Sequence, residues 1–201
     1  MMTSISPTPN KILMTQARDS LRGKWGLAIG VFFLFMLVLF ILLHIPHVGW
    51  PLYVIAESVL LLGLAEFALS ISRQQDSRLE QLFSGFKRFG LALGVYFLVL
   101  IFVLLWTLLL VVPGIIAAIS YSMTYFIIAD NESIAPLQAL RKSKAMMSGN
   151  KWRFFCLCCR FIGWLLLSIL TFGIGFLWFL PYFHVSVARF YEDIKVSAIE
   201  A

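Results

Sequence analysis

The chain has 201 residues, of which 61% are hydrophobic and 13% charged, and its formal net charge at pH 7 is +6. A soluble globular chain carries about 25% charged residues, so this composition leaves too little polar surface for a water-soluble body and predicts an all-α protein within a lipid bilayer. Nucleic-acid binding is not expected, because the basic residues form short clusters between hydrophobic runs, as membrane topology signals do.

Hydrophobic runs in chain order predict six membrane-spanning helices. The runs 26–44 and 51–71 each supply the roughly 20 residues that one crossing needs. The runs 91–129 and 154–189 are too long for one crossing, and each contains a turn signal. The first has Pro113-Gly114 near its middle and the second a glycine-rich segment, so each is divided into two helices.

Basic residues are confined to the polar segments that flank these predicted hairpins. The three turns inside the hairpins, near His47, Pro113 and Gly173, carry no lysine or arginine. Positively charged segments stay in the cytoplasm, so both termini and both long loops are expected there. The even number of spans agrees with this orientation.

The three hairpins have the form of an internal repeat, about residues 11–73, 77–130 and 133–194, within a single integral membrane domain. Each copy begins with a short amphipathic helix, expected on the cytoplasmic surface, and continues with a glycine, a basic residue and an aromatic residue. Cations and aromatic side chains favour the headgroup region of a bilayer. The expected interfacial anchors are Lys24, Trp25, Lys87, Phe89, Lys151 and Trp152.

Local signals support the three short helices. Asn10 is the predicted cap of the first, Ser77 and Glu80 have the spacing of a capping box for the second, and Pro136 falls in the first turn of the third. A glycine after each helix would let the backbone turn towards the bilayer. These predicted C-terminal glycines are Gly23, Gly85 and Gly149.

Ionisable side chains inside predicted spans are candidate sites, because a charge in hydrocarbon is costly. Glu66, Arg160 and His184 each lie roughly 8–11 Å inside the cytoplasmic boundary at 1.5 Å per residue. Equal depth predicts one polar cluster with Glu66 and Arg160 as an ion pair. The alternatives are an Arg160 that extends to the headgroups beside a protonated Glu66, and a ligand or proton path. Glu57 is half a helical turn from Glu66 and is not expected in the cluster.

No catalytic chemistry is expected. The sequence lacks the H-E-x-x-H, G-x-S-x-G, phosphate-loop and dinucleotide motifs. Cys156, Cys158 and Cys159 have no second ligand pair of the kind that a zinc site uses, so they are expected to be ordinary helix residues. We therefore expect a protein that is not an enzyme and has neither a metal nor another cofactor.

The C-terminal half contains an ordered set of short motifs that resembles a known family. They are Val112-Pro-Gly-Ile115, Tyr121-Ser-Met123, Ala129-Asp130, Met147-Ser-Gly-Asn-Lys151, Phe161-Ile-Gly-Trp164, Gly173-Ile-Gly175, Pro181-Tyr182 and Phe190-Tyr191. Over roughly residues 12–194 the chain resembles the bacterial integral-membrane family catalogued as domain of unknown function 975. It is more distantly similar to the membrane domain of glycerophosphodiester phosphodiesterases. One residue departs from the family pattern: Arg160 stands at a position where a small or apolar residue is expected. The resemblance implies a multi-pass protein of the bacterial cytoplasmic membrane with no assigned reaction.

Two functions remain as expectations. The first is a non-catalytic membrane module that binds lipid headgroups or another membrane protein through its basic amphipathic helices, in envelope maintenance or an immunity-like role. The second is a small transporter or permease subunit, with the repeats framing a substrate path. Transport usually needs midplane polar groups or broken helices. The predicted spans contain few such groups, which favours the module.

Overall fold

The computed structural model describes residues 8–131 and 133–199, and within these ranges the chain is helical, with no strand. In chain order the helices are α1 (Asn10–Ser20), α2 (Trp25–Leu43), α3 (Gly49–Ser72), a 3₁₀ helix (Leu79–Arg88), α4 (Phe89–Leu109), α5 (Val111–Tyr121), α6 (Thr124–Asp130), α7 (Pro136–Met146), α8 (Lys151–Arg160), α9 (Ile162–Leu170) and α10 (Phe176–Ile199). The all-α prediction is confirmed for these residues. One short helix, namely α1, the 3₁₀ helix or α7, precedes each predicted hairpin.

Among the described residues, five helical segments are long and apolar enough to cross a membrane. They are Trp25–Leu43, Gly49–Ser72, Leu79–Leu109, Val111–Asp130 and Lys151–Leu170. The sixth predicted span falls on α10, which has 24 residues. Its apolar first half is followed by Arg189, Glu192 and Asp193, so α10 does not reach the same apolar composition.

Two of the predicted spans are interrupted. The helices α5 and α6 are separated at Ser122 and Met123, and α8 is separated from α9 at Phe161. The Ser122 hydroxyl donates to the Ile119 carbonyl at 2.8 Å, a local bond that competes with the helical pattern. The predicted turn at Pro113 lies three residues earlier, at the extended Leu110. Pro113 instead occupies the first turn of α5, where its missing N–H leaves no intrahelical bond unmade.

The start of the first two short helices differs from the prediction. Pro9, rather than Asn10, precedes α1, and the Asn10 side chain donates to the Arg153 carbonyl in α8 at 2.7 Å. The 3₁₀ helix follows Arg78, whose backbone N–H donates to the Gln81 side chain at 3.4 Å. The predicted cap at Asn10 and the predicted capping box at Ser77 and Glu80 are therefore wrong. Asn10 contacts α8 instead, and the Ser77 hydroxyl accepts a hydrogen bond from the Ser70 hydroxyl of α3 at 3.0 Å.

Glycines distinguish the second short helix from the other two. Gly23 and Gly149 have left-handed backbone angles, with φ of +79° and +86°, so they turn the chain after α1 and α7 as predicted. Gly85 lies inside the 3₁₀ helix, where an added Cβ would collide with the Val59 carbonyl of α3. A Cβ at Gly63 of α3 would likewise collide with the Leu82 carbonyl. The 3₁₀ helix therefore packs on α3 at backbone contact distance.

Burial is uneven between the long helices. In α3, 67% of the apolar stretch is buried inside the protein, whereas the corresponding value for Leu79–Leu109 is 11%. The main core joins Phe32 of α2, Phe67 of α3, Phe126 of α6 and Tyr191 of α10. Because α3 is the central helix, its polar residues find partners within the protein. By contrast, α4 exposes most of its apolar surface.

Candidate functional site

Glu66 has a different partner from the predicted one. Its carboxylate forms an ion pair with the Arg88 guanidinium at the end of the 3₁₀ helix. Arg88 also donates to the Ile128 carbonyl of α6 at 2.6 Å. The predicted pair between Glu66 and Arg160 is therefore wrong. The close approach of the 3₁₀ helix to α3 brings Arg88 to Glu66, a contact that equal depth in a bilayer could not reveal.

The other two members of the predicted cluster lie apart. Arg160 is the last residue of α8, is exposed and has no ion pair within the described ranges. His184 of α10 packs against the Phe32 and Phe183 rings, with centroid distances of 5.0 and 5.9 Å. The exposure of Arg160 is the property expected of a side chain that extends to lipid headgroups.

Glu57 is also held by α4. The Tyr96 hydroxyl donates to the Glu57 carboxylate at 2.9 Å. Of the two carboxylates in α3, Glu66 thus binds a side chain of the 3₁₀ helix and Glu57 binds a side chain of α4. The Arg88 guanidinium compensates the Glu66 charge, and the Tyr96 hydroxyl gives the Glu57 carboxylate a hydrogen-bond donor.

A group that we call the charge junction joins the ends of the three predicted hairpins. Arg73 follows α3, Asp130 ends α6, and Tyr191, Glu192 and Lys195 belong to α10. The Arg73 guanidinium lies 2.7 Å from the Asp130 carboxylate and 2.6 Å from the Glu192 carboxylate. Asp130 also accepts from Lys195 and, at 3.1 Å, from the Tyr191 hydroxyl. Burial opposes the charge on Arg73, but its hydrogen bonds to both carboxylates outweigh that effect and raise its pKa.

A second set of polar contacts fastens α1 to the C-terminal hairpin. Arg153 pairs with Asp193 at 2.6 Å and donates to the Thr8 carbonyl. Arg189 donates to the Ser20 hydroxyl at 2.6 Å. Sequence reasoning missed these contacts because flanking charges were interpreted only as topology signals. The ionisable residues that recur at each hairpin end were the signal that could have indicated these contacts.

A cavity of about 280 Å³ lies among the three predicted hairpins. Its lining includes Ala65 of α3, Tyr125 of α6, Cys158 of α8 and His184 of α10. The Tyr125 hydroxyl is buried and has no hydrogen-bond partner within the described ranges. The part of the chain that the structure describes contains no group of three or more histidine, cysteine or acidic residues placed to hold a metal ion.

The family described as protein of unknown function (DUF975) matches residues 2–120 and, in a second and overlapping match, residues 107–198. The chain belongs to this family. Among the described residues, five helical segments have the length and apolar composition of membrane spans, as in a multi-pass membrane protein. No curated protein and no solved structure matches this DUF975 member.

The predicted anchors of this DUF975 protein differ in what they contact. The Lys24 ammonium donates to the Gln75 carbonyl at 2.5 Å, so it fastens a loop within the protein. Trp25 lines a hollow of about 260 Å³ together with Trp164 and Trp178. Of the remaining four, the two lysines form no ion pair within the described ranges, and Trp152 is 74% exposed. These four are Lys87, Phe89, Lys151 and Trp152.

Charges in this DUF975 member are divided between two environments. Among the described residues, five carboxylates pair with arginine or lysine, namely Glu66, Asp76, Asp130, Glu192 and Asp193. Seven basic residues on or next to the short helices are exposed and have no ion pair within the described ranges. They are Lys11, Arg18, Arg22, Lys87, Arg141, Lys142 and Lys144. The protein thus pairs Glu66, Asp130, Glu192 and Asp193 with basic residues at the helix joints. Its short helices carry an excess of exposed positive charge.

Proposed function

We propose that this protein is a non-catalytic membrane module whose short helices bind the headgroups of anionic lipids. The single observation that carries the proposal is the separation of charges. Four of the eight carboxylates that the structure describes pair with basic groups at helix joints, whereas seven basic residues on or next to α1, the 3₁₀ helix and α7 are exposed beside only two carboxylates on these helices, Asp19 and Glu80. Each lysine or arginine near an anionic membrane surface contributes about 1 kcal/mol of attraction.

The membrane arrangement is part of this proposal. Three related hairpins cross a bacterial cytoplasmic membrane six times, and α10, with its 24 residues, supplies the sixth crossing. The basic segments keep both termini in the cytoplasm, where anionic lipids give the surface a negative potential. The three short helices then meet the headgroups of the inner leaflet. Envelope maintenance and an immunity-like role are processes in which such a module could act.

A lipid-dependent stability measurement tests the proposal. The purified protein in a zwitterionic detergent is titrated with phosphatidylglycerol or with phosphatidylcholine, and its thermal midpoint is followed. Phosphatidylglycerol is expected to raise the midpoint more, and added salt should reduce the difference because it screens exposed charges. Equal shifts with the two lipids would contradict the proposal. If a second membrane protein copurified with this one, and this one showed no preference for anionic lipid, the result would favour protein binding instead.

A small transporter or permease subunit is the second candidate, and the cavity at Tyr125 and His184 is the observation that favours it. Cys158 lines this cavity, so it can report access from either side of the membrane. A variant with Cys156→Ser and Cys159→Ser keeps this one thiol for labelling. Transport predicts that an impermeant maleimide reaches Cys158 from both sides of oriented vesicles. The lipid-binding module predicts no labelling from the outer side.

A further inference from the structure

Two adjoining hollows of about 310 and 480 Å³ are lined by residues of α5. Ile116 and Lys151 line both of them, so together they form one continuous surface, which we call the α5–α8 groove. Lys144 of α7 lines the first hollow, and Trp152 of α8 lines the second. The groove therefore lies between the second and the third predicted hairpins.

The groove combines two cationic groups with an apolar floor. Neither Lys144 nor Lys151 forms an ion pair within the described ranges. Ile115 and Ile116 on its floor are 49% and 46% exposed, which in a multi-pass protein is surface available to lipid. An ammonium group binds phosphate as a point charge, and exposed isoleucine side chains suit a hydrocarbon chain. This charge and polarity match an anionic amphiphile.

The backbone next to both lysines is fixed by contacts of their neighbours. The Ser143 hydroxyl donates to the Ser120 carbonyl at 2.8 Å and so fixes α7 against α5, next to Lys144. Trp152 stacks on Phe155 with a centroid distance of 5.5 Å and forms one wall beside Lys151. A groove whose helices and aromatic wall are already in place loses less conformational entropy when a ligand binds.

We infer that the α5–α8 groove binds one anionic phospholipid. Its phosphate contacts Lys144 and Lys151, and an acyl chain lies along Ile116 and Ile119. This inference rests on the proposed function, which it makes specific by assigning one saturable lipid site. General attraction by exposed charge would be spread over all the short helices instead.

The chain offers a matched control for this site. The variant Lys144→Gln/Lys151→Gln removes two positive charges from the groove. The control Arg141→Gln/Lys142→Gln removes two exposed charges from α7 at residues that do not line the groove. Thermal midpoints without added lipid establish that both variants fold. Phosphatidylglycerol binding to each purified protein is then measured by native mass spectrometry over a range of lipid concentrations.

The control loses two exposed charges that attract anionic lipid in general, so it is expected to bind phosphatidylglycerol more weakly than the wild-type protein does, and the groove variant is expected to bind it at least tenfold more weakly than the control. Ile116→Trp, which keeps both lysines but fills the groove, should weaken binding as well. Glycerol 3-phosphate has the same anionic group without acyl chains and should not compete. An equal loss in the groove and control variants would overturn the groove while leaving the proposed function intact. No preference for phosphatidylglycerol over phosphatidylcholine in the wild-type protein would overturn both.

Discussion

The charge junction and the α5–α8 groove both contain basic residues, but these residues have opposite surroundings. At the junction, one arginine lies within 2.7 Å of two carboxylates from different helices. In the groove, Lys144 and Lys151 come from neighbouring helices and have no carboxylate partner within the described ranges. A basic residue next to a membrane span can therefore stabilise the fold or bind a ligand. The position of the carboxylates decides which.

The largest effect is expected at the ion pair between α3 and the 3₁₀ helix, because both of its side chains are mostly buried. Arg88 and Glu66 have side chains that are 17% and 19% exposed. Arg88→Gln should lower the free energy of unfolding by about 3 kcal/mol, because the Glu66 carboxylate loses its partner. Reversible unfolding of the purified protein in mixed micelles measures this loss.

The exposed neighbour Lys87 provides the control for that measurement. Lys87→Gln should leave the unfolding curve unchanged, since Lys87 has no ion pair within the described ranges. Adding Glu66→Gln to Arg88→Gln should recover part of the stability, because the stranded charge is then gone. Losses that simply add in the double variant would show that the two residues do not stabilise each other.

A smaller loss is expected at the charge junction. Arg73→Gln should cost about 2 kcal/mol, since Glu192 loses its ion pair whereas Asp130 keeps Lys195. Arg78 provides the matched control, because its pair with Asp76 is exposed to solvent. Exposed pairs stabilise little, so Arg78→Gln should leave the thermal midpoint unchanged. If the two variants lost equal stability, the distinction between junction pairs and surface pairs would not hold.

The smallest effect is expected at Arg160. This residue is exposed and unpaired within the described ranges, so Arg160→Gln should change the free energy of unfolding by less than about 0.5 kcal/mol. A thermal melt in zwitterionic detergent, recorded beside Arg73→Gln, provides the comparison. A loss as large as that of Arg73→Gln would indicate an ion pair to Arg160.

Hydrophobic runs and backbone signals were sufficient to predict much of the helix order. The runs at α2, α3 and α4, the left-handed Gly23 and Gly149 and the first-turn position of Pro136 are all present in the structure. Each of these features depends on residues close together in the chain. The interruptions at Ser122 and Phe161 depend on weaker local preferences and were not predicted.

The partners within the candidate sites could not be predicted in the same way. Depth places Glu66 and Arg160 in one layer, but it does not define which side of α3 Glu66 occupies. That side is decided by the 3₁₀ helix, which approaches α3 through Gly63 and Gly85. Lys151 was predicted as a headgroup anchor, whereas Lys144 reaches the same groove only because α7 packs against α5. Contacts between distant segments therefore set the chemistry of both regions.

One measurement compares the two regions directly. Arg73→Gln and Lys144→Gln/Lys151→Gln are each reconstituted in nanodiscs of phosphatidylcholine alone and of phosphatidylcholine with phosphatidylglycerol, and their thermal midpoints are compared with the wild type. The junction variant is predicted to lose the same stability in both membranes. The groove variant is predicted to match the wild type in phosphatidylcholine and to lose only the stabilisation that phosphatidylglycerol adds. A groove variant that is equally unstable in both membranes, or that keeps the full effect of phosphatidylglycerol, would contradict the division between structural and lipid-binding charges.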